Sequence, residues 1–160
     1  MFLWFAGLSL LVVWQVFGSP ALDHRMVVVG SVLPVVEVVA GGPRLLHTMV
    51  GAVAVLLGVV LGTRNRRVLR RRLLGVPIGL FMHLVLDGVW ADTQVFWWPA
   101  FGASFGTGQV PELTRGYVGL AMEVVGVVAL WFAWRVFGLA DPGRRAGFLR
   151  TGRLDRSLRP

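Results

Sequence analysis

An all-α, polytopic membrane helix bundle is the fold this chain predicts, and three observations predict it. Hydrophobic residues make up 56% of the 160 and charged residues only 15%, with a mean hydropathy of +0.71. That is too apolar for a soluble domain. The apolar residues fall into five runs of near-spanning length. The net charge of +8 is carried by 16 arginines and no lysine, gathered in one interior stretch and at the C-terminal end. Basic loops flanking apolar spans are the ordinary topology signal, so no nucleic acid is expected as a partner. The length suits one transmembrane domain over residues 1–140 followed by a basic cytoplasmic tail over 141–160.

The first run, 2–18, has neither a basic start nor a small-residue cleavage site, so it reads as a retained helix and not as a signal peptide. The second, 26–41, follows Asp23, which suits a helix N-cap. It is short and interrupted by Pro34, which leaves a choice between five spanning segments and four with a re-entrant second one. The third covers 45–62, the fourth 73–91 and the fifth 118–139. Six arginines lie between Arg64 and Arg72, and six more follow from Arg144. Two crossings separate these groups, so both belong on one side, the cytoplasmic side of an inner (plasma) membrane. Counting outward places Glu37, His47 and the Trp97-Trp98-Pro99 belt on the other side.

The most informative residues are His83 and Asp87, four apart within the apolar fourth run. A helix places both on one face. An ionisable group in hydrocarbon costs roughly 2.5–3.5 kcal/mol on insertion scales, so it needs a partner, and a metal is one. Glu37, His47 and Glu123 fall at a similar outer level. With no cysteine in the chain, thiolate sites and cysteine nucleophiles are excluded, and a metal must be held by His, Asp or Glu. Two imidazoles with carboxylates suit Zn²⁺ at a site with an open position, with Mn²⁺ the alternative where water completes an octahedron. The competing reading of these residues is interhelical hydrogen bonding. Asp92 and Glu112 flank the outer loop, and Gly102 to Gly108 reads as part of that loop. Gly58 and Gly62 have the Gly-x-x-x-Gly spacing of a dimer face.

The stretch Gly30-Ser-Val-Leu-Pro-Val-Val-Glu37, then Arg44-Leu-Leu-His-Thr48, then Gly79-Leu-Phe-Met-His-Leu-Val-Leu-Asp87 and Val95-Phe-Trp-Trp-Pro99 resembles the bacterial membrane-bound metal-dependent hydrolases, an inner-membrane family. The resemblance covers residues 23 to 102 and implies metal ligation by Glu37, His47, His83 and Asp87. Val35 stands where that family's pattern has its first Asp, Glu37 replaces the second, and Leu46-His47-Thr48 replaces its Thr-His-Ser. Against that pattern, one lost carboxylate implies either one metal in place of two or a site that no longer works.

The expected activity is therefore hydrolysis of a lipid or polyprenyl phosphate, or an ester, from the outer leaflet. In that expectation Glu123 or Asp92 serves as base, and Arg44 or Arg115 holds the phosphate. The other class is a non-enzymatic membrane subunit, a homo-oligomer or a partner of another membrane protein. There the His and carboxylate cluster is structural, and the arginines bind the partner or anionic lipid.

Overall fold

The computed structural model describes residues 1–19, 21–39, 45–102 and 115–154, and among these the protein is all-helical, with no strand. In chain order the helices are α1 (Phe2–Phe17), α2 (His24–Val39), α3 (Met49–Gly62), α4 (Arg67–Leu73), α5 (Gly75–Asp87), α6 (Thr93–Phe96), α7 (Gly116–Val136) and α8 (Pro142–Thr151). Short 3₁₀ turns lie at Leu45–His47 and Val89–Ala91.

Local chemistry sets the boundaries. Gly18 closes α1 and Gly88 closes α5, each in the left-handed conformation that a side chain disfavours. Asp23 accepts from the Arg25 amide to cap α2, Thr48 accepts from Gly51 to cap α3, and Asp141 followed by Pro142 opens α8. All five apolar runs are helical, as α1, α2, α3, α5 and α7. Three details differ from expectation. The Arg64 to Arg72 stretch contains a helix, α4, and the basic tail contains another, α8. His47 sits in a 3₁₀ turn before α3, because the cap falls on Thr48. By length and composition α7 is able to cross a membrane, whereas α1 and α3 are apolar but shorter.

Glycines set the helix order. A Cβ on Gly79 would lie 2.0 Å from the Val27 carbonyl oxygen, one on Gly30 would lie 2.0 Å from that of Val76, and one on Gly75 would meet Asp23 and Met26. The α2 and α5 backbones therefore touch, side by side and parallel, in the manner that small residues permit. Gly7 and Gly126 do the same for α1 and α7, also parallel. Since α1 returns into α2 through a short turn, the two parallel pairs run oppositely. α2 continues across Pro34 from the Asp23 end of the bundle to the Glu37 end, where His47 hydrogen-bonds back to it.

One end thus gathers the basic segments. Asp23, 2% exposed, pairs with Arg25 at 2.7 Å and with Arg72 at 3.3 Å. The last residues of α8 dock beside it: the His24 amide donates to the Gly152 carbonyl at 2.8 Å, and Arg25 donates to that of Leu149. Burial alone would raise the Asp23 pKa, but the hydrogen bonds and charge of Arg25, with that of Arg72, outweigh it and hold the carboxyl below the ordinary range. A carboxylate with a depressed folded pKa contributes stability above its unfolded value of about 4, and that contribution is lost as pH falls through the folded value. Asp23→Asn is therefore expected to melt below wild type at neutral pH and to converge with it in acid. Parallel melting curves that keep a constant gap from neutral pH down to acid would rule this pair out as the source.

Candidate metal centre

The opposite end of the bundle holds the polar cluster. His83 is fully buried on α5, one turn before Asp87, which is 5% exposed, and His47 approaches from the turn before α3 at 6% exposed. One ligand atom from each of the three lies within 4.8 Å of the others. The imidazoles meet edge to face with centroids 5.2 Å apart, and Phe5 of α1 lies against His83 at 4.0 Å. Three elements thus converge on the cluster, and one of its walls is an aromatic ring.

Backbone and carboxylate acceptors orient both rings. The Nδ1 of His83 lies 2.8 Å from the Ser31 carbonyl of α2. A carbonyl only accepts, so Nδ1 carries the proton and the lone pair of the neutral ring is on Nε2. His47 Nδ1 donates to Glu37 Oε2 at 3.4 Å, which places its lone pair on Nε2 as well. Glu37 also accepts from the Leu45 amide at 2.9 Å and the Leu46 amide at 3.1 Å. Expected as a ligand, Glu37 is placed as the carboxylate that orients His47 and caps its turn, the usual second partner of a metal-binding imidazole.

Arg115 lies at this cluster too. Its Nη1 donates to Asp87 Oδ1 at 2.9 Å and its Nη2 to the Asp87 carbonyl at 2.7 Å. The fork offsets the carboxylate's charge and caps the end of α5. The residue expected to hold a substrate phosphate thus holds Asp87. Asp92 is exposed and caps α6 by accepting from Gln94 and Val95. Glu123 accepts from the Leu3 amide at 2.9 Å and the Trp4 amide at 3.4 Å, and pairs with the Met1 amine at 3.2 Å. It therefore caps α1 from α7 and lies outside the His47, His83 and Asp87 group. Arg44, Glu112 and the loop beyond Gly102 lie outside the described residues.

Because Glu123 meets the α1 amides as a charged acceptor, Glu123→Gln is expected to lower the melting temperature modestly. The expected loss is on the order of 1 kcal/mol, the worth of a charge at a helix N-terminus. Metal content should not change. Loss of metal from the Gln variant at unchanged stability would return Glu123 to the site.

The donor set fits a divalent ion. Atoms bound to one Zn²⁺ at about 2.1 Å lie no more than ~4.2 Å apart, so small side-chain rotations would close the group. Two imidazoles and one carboxylate are borderline ligands that accept Zn²⁺, Mn²⁺ or Fe²⁺. Compared with protein-family models, curated proteins and solved structures, the chain matches none.

Proposed function

We propose that the protein is a membrane-embedded metal-dependent hydrolase with a single divalent ion held by His47, His83 and Asp87. The observation that carries this reading is the convergence of three buried ligand atoms within 4.8 Å, from segments 36 residues apart at one join and four at the other. The pattern of exposure supports the membrane. Ser9, Ser31, His47, Thr48, His83 and Asp87 are buried while Val118, Leu120, Val124, Val128, Trp131 and Phe132 of α7 are exposed, an inversion that suits lipid as the solvent. The alternating helix directions support a reading with five spanning segments, and charge bias supports a cytoplasmic place for the arginine-rich end. The resemblance to the membrane-bound metal-dependent hydrolases points the same way.

A divalent ion in such a set supplies Lewis acidity and brings the pKa of a water toward ~7. Glu37 and the Ser31 carbonyl keep both imidazoles turned inward. Arg115 holds Asp87 in place through its two hydrogen bonds. Phe5 excludes water from one side of His83. Of the two carboxylates considered for proton transfer, Asp92 is the stronger candidate, since both oxygens of Glu123 serve α1. The substrate class is a lipid phosphate or ester entering from the Glu37 end.

A second reading is favoured by the Arg115 fork on Asp87: the cluster is a hydrogen-bonded joint between helices, in a non-enzymatic subunit. Metal analysis of detergent-purified protein separates the two, together with phosphate or acyl release from a lipid panel with Zn²⁺ or Mn²⁺. About one bound ion per chain and turnover that a chelator abolishes is the expected result. A metal-free protein that turns over no lipid with either ion would retire the hydrolase.

A further inference from the structure

A cavity of about 540 Å³ opens at the other end of the bundle from the candidate metal centre, between α4, α8 and the residues that follow α7. Its charged wall is Arg71, Arg144 and Arg153, and its apolar wall includes Phe137, Leu139 and Leu154. No described carboxylate lines it. Asp23, the buried acid of this end, is committed to Arg25 and Arg72, and Asp141 caps the Arg144 amide at 2.7 Å.

We propose that this cavity binds the phosphate headgroup of an anionic phospholipid. Three guanidiniums are donors of the geometry that phosphate oxygens accept, often in pairs. The volume lies within the range of small-molecule sites. Free phosphate would use the arginines alone. The buried Phe137, Leu139 and Leu154, continuous with Leu10 and Trp14 in one apolar cluster, give a glycerol and upper acyl chain a surface that free phosphate does not need. The level is also right: Phe137 directly follows Val136, the last residue of the helix long enough to cross a membrane, so the cavity falls where headgroups lie. Basic pockets at helix ends hold anionic lipids for these reasons. The assignment rests on the membrane-spanning reading and not on the metal centre.

The test is native mass spectrometry of detergent-purified protein offered phosphatidylglycerol or phosphatidylcholine, with and without excess inorganic phosphate. Wild type is compared with Arg71→Gln/Arg144→Gln/Arg153→Gln, and with Arg64→Gln/Arg66→Gln/Arg67→Gln, which removes equal charge away from the cavity. Wild type should retain phosphatidylglycerol roughly tenfold over phosphatidylcholine, the control triple should match it, and the cavity triple should lose the preference. Equal retention of both lipids, or equal loss in both triples, overturns the site. Displacement by inorganic phosphate overturns the lipid in favour of a free anion. Alkaline carbonate extraction of membranes tests the spanning reading separately: release of the chain would overturn that reading, whereas the cavity still stands or falls on the two triples.

Discussion

His83→Ala is expected to leave the protein without metal. Wild type should carry about one divalent ion per chain, and the variant should bind at least ~100-fold more weakly, since even outer-shell partners of a ligand are worth 10–100-fold. The same substitution removes the donor to the Ser31 carbonyl and leaves a void beside Phe5, so some loss of stability is expected as well. Glu37→Gln separates these effects. It keeps an acceptor for the Leu45 and Leu46 amides but weakens the hold on His47 Nδ1, and it should reduce metal affinity by roughly 10–100-fold with the fold intact. Inductively coupled plasma analysis after dialysis, beside circular dichroism, reads both. Stoichiometric metal retained by His83→Ala would sink the site.

Arg115→Gln bears on the same question with opposite expectations. If Asp87 is only part of a joint, removing the guanidinium leaves a buried carboxylate unpaired, at a cost of about 3–5 kcal/mol that added Zn²⁺ does not restore. With a metal centre present, the ion replaces the lost positive charge, and Zn²⁺ should raise the variant's melting temperature more than that of wild type. No Zn²⁺-dependent stabilisation of Arg115→Gln would favour the joint.

Much of the site was legible because its signals are local. His83 and Asp87 stand one helical turn apart in an apolar run, and nothing but a polar purpose puts them there. What sequence could not supply was the partner across a long separation. Arg115 lies 28 residues beyond Asp87, and its charge suggests a substrate contact just as readily. The sequence places Glu37 with the cluster, but ligand and orienting carboxylate differ only by geometry. Phe5 had no signal at all, since an aromatic residue in a first apolar run is ordinary. The α8 helix had signals that the charge obscured: Asp141-Pro142 at its start and Gly152 at its end are cap residues, set in a stretch whose arginines suggested a tail.

Gly79→Ala, and more strongly Gly79→Leu, should take the bundle apart. A methyl group at residue 79 would meet the Val27 oxygen at 2.0 Å and the Ser31 nitrogen at 2.8 Å. Both are backbone atoms of a facing helix, and neither turns aside as a side-chain tip would. Separating α5 from α2 would also withdraw the Ser31 carbonyl from His83, so the candidate metal centre should fail with the fold. The expected loss is on the order of 3 kcal/mol for Ala and more for Leu, at the upper end of overpacking costs. Gly58 and Gly62 make the decisive comparison. They have the same four-residue spacing as Gly75 and Gly79, yet a Cβ at either meets nothing within 4 Å. Spacing therefore identifies a face on which helices can approach, and only the fold says which face they use. Gly58→Leu and Gly62→Leu should melt like wild type if α3 faces lipid, and should lower oligomer mass at unchanged monomer stability if α3 meets a second copy. Thermal melting in detergent with light scattering reads every variant, and a Gly79→Leu protein that melts like wild type and keeps its metal would show that α2 and α5 do not touch as described.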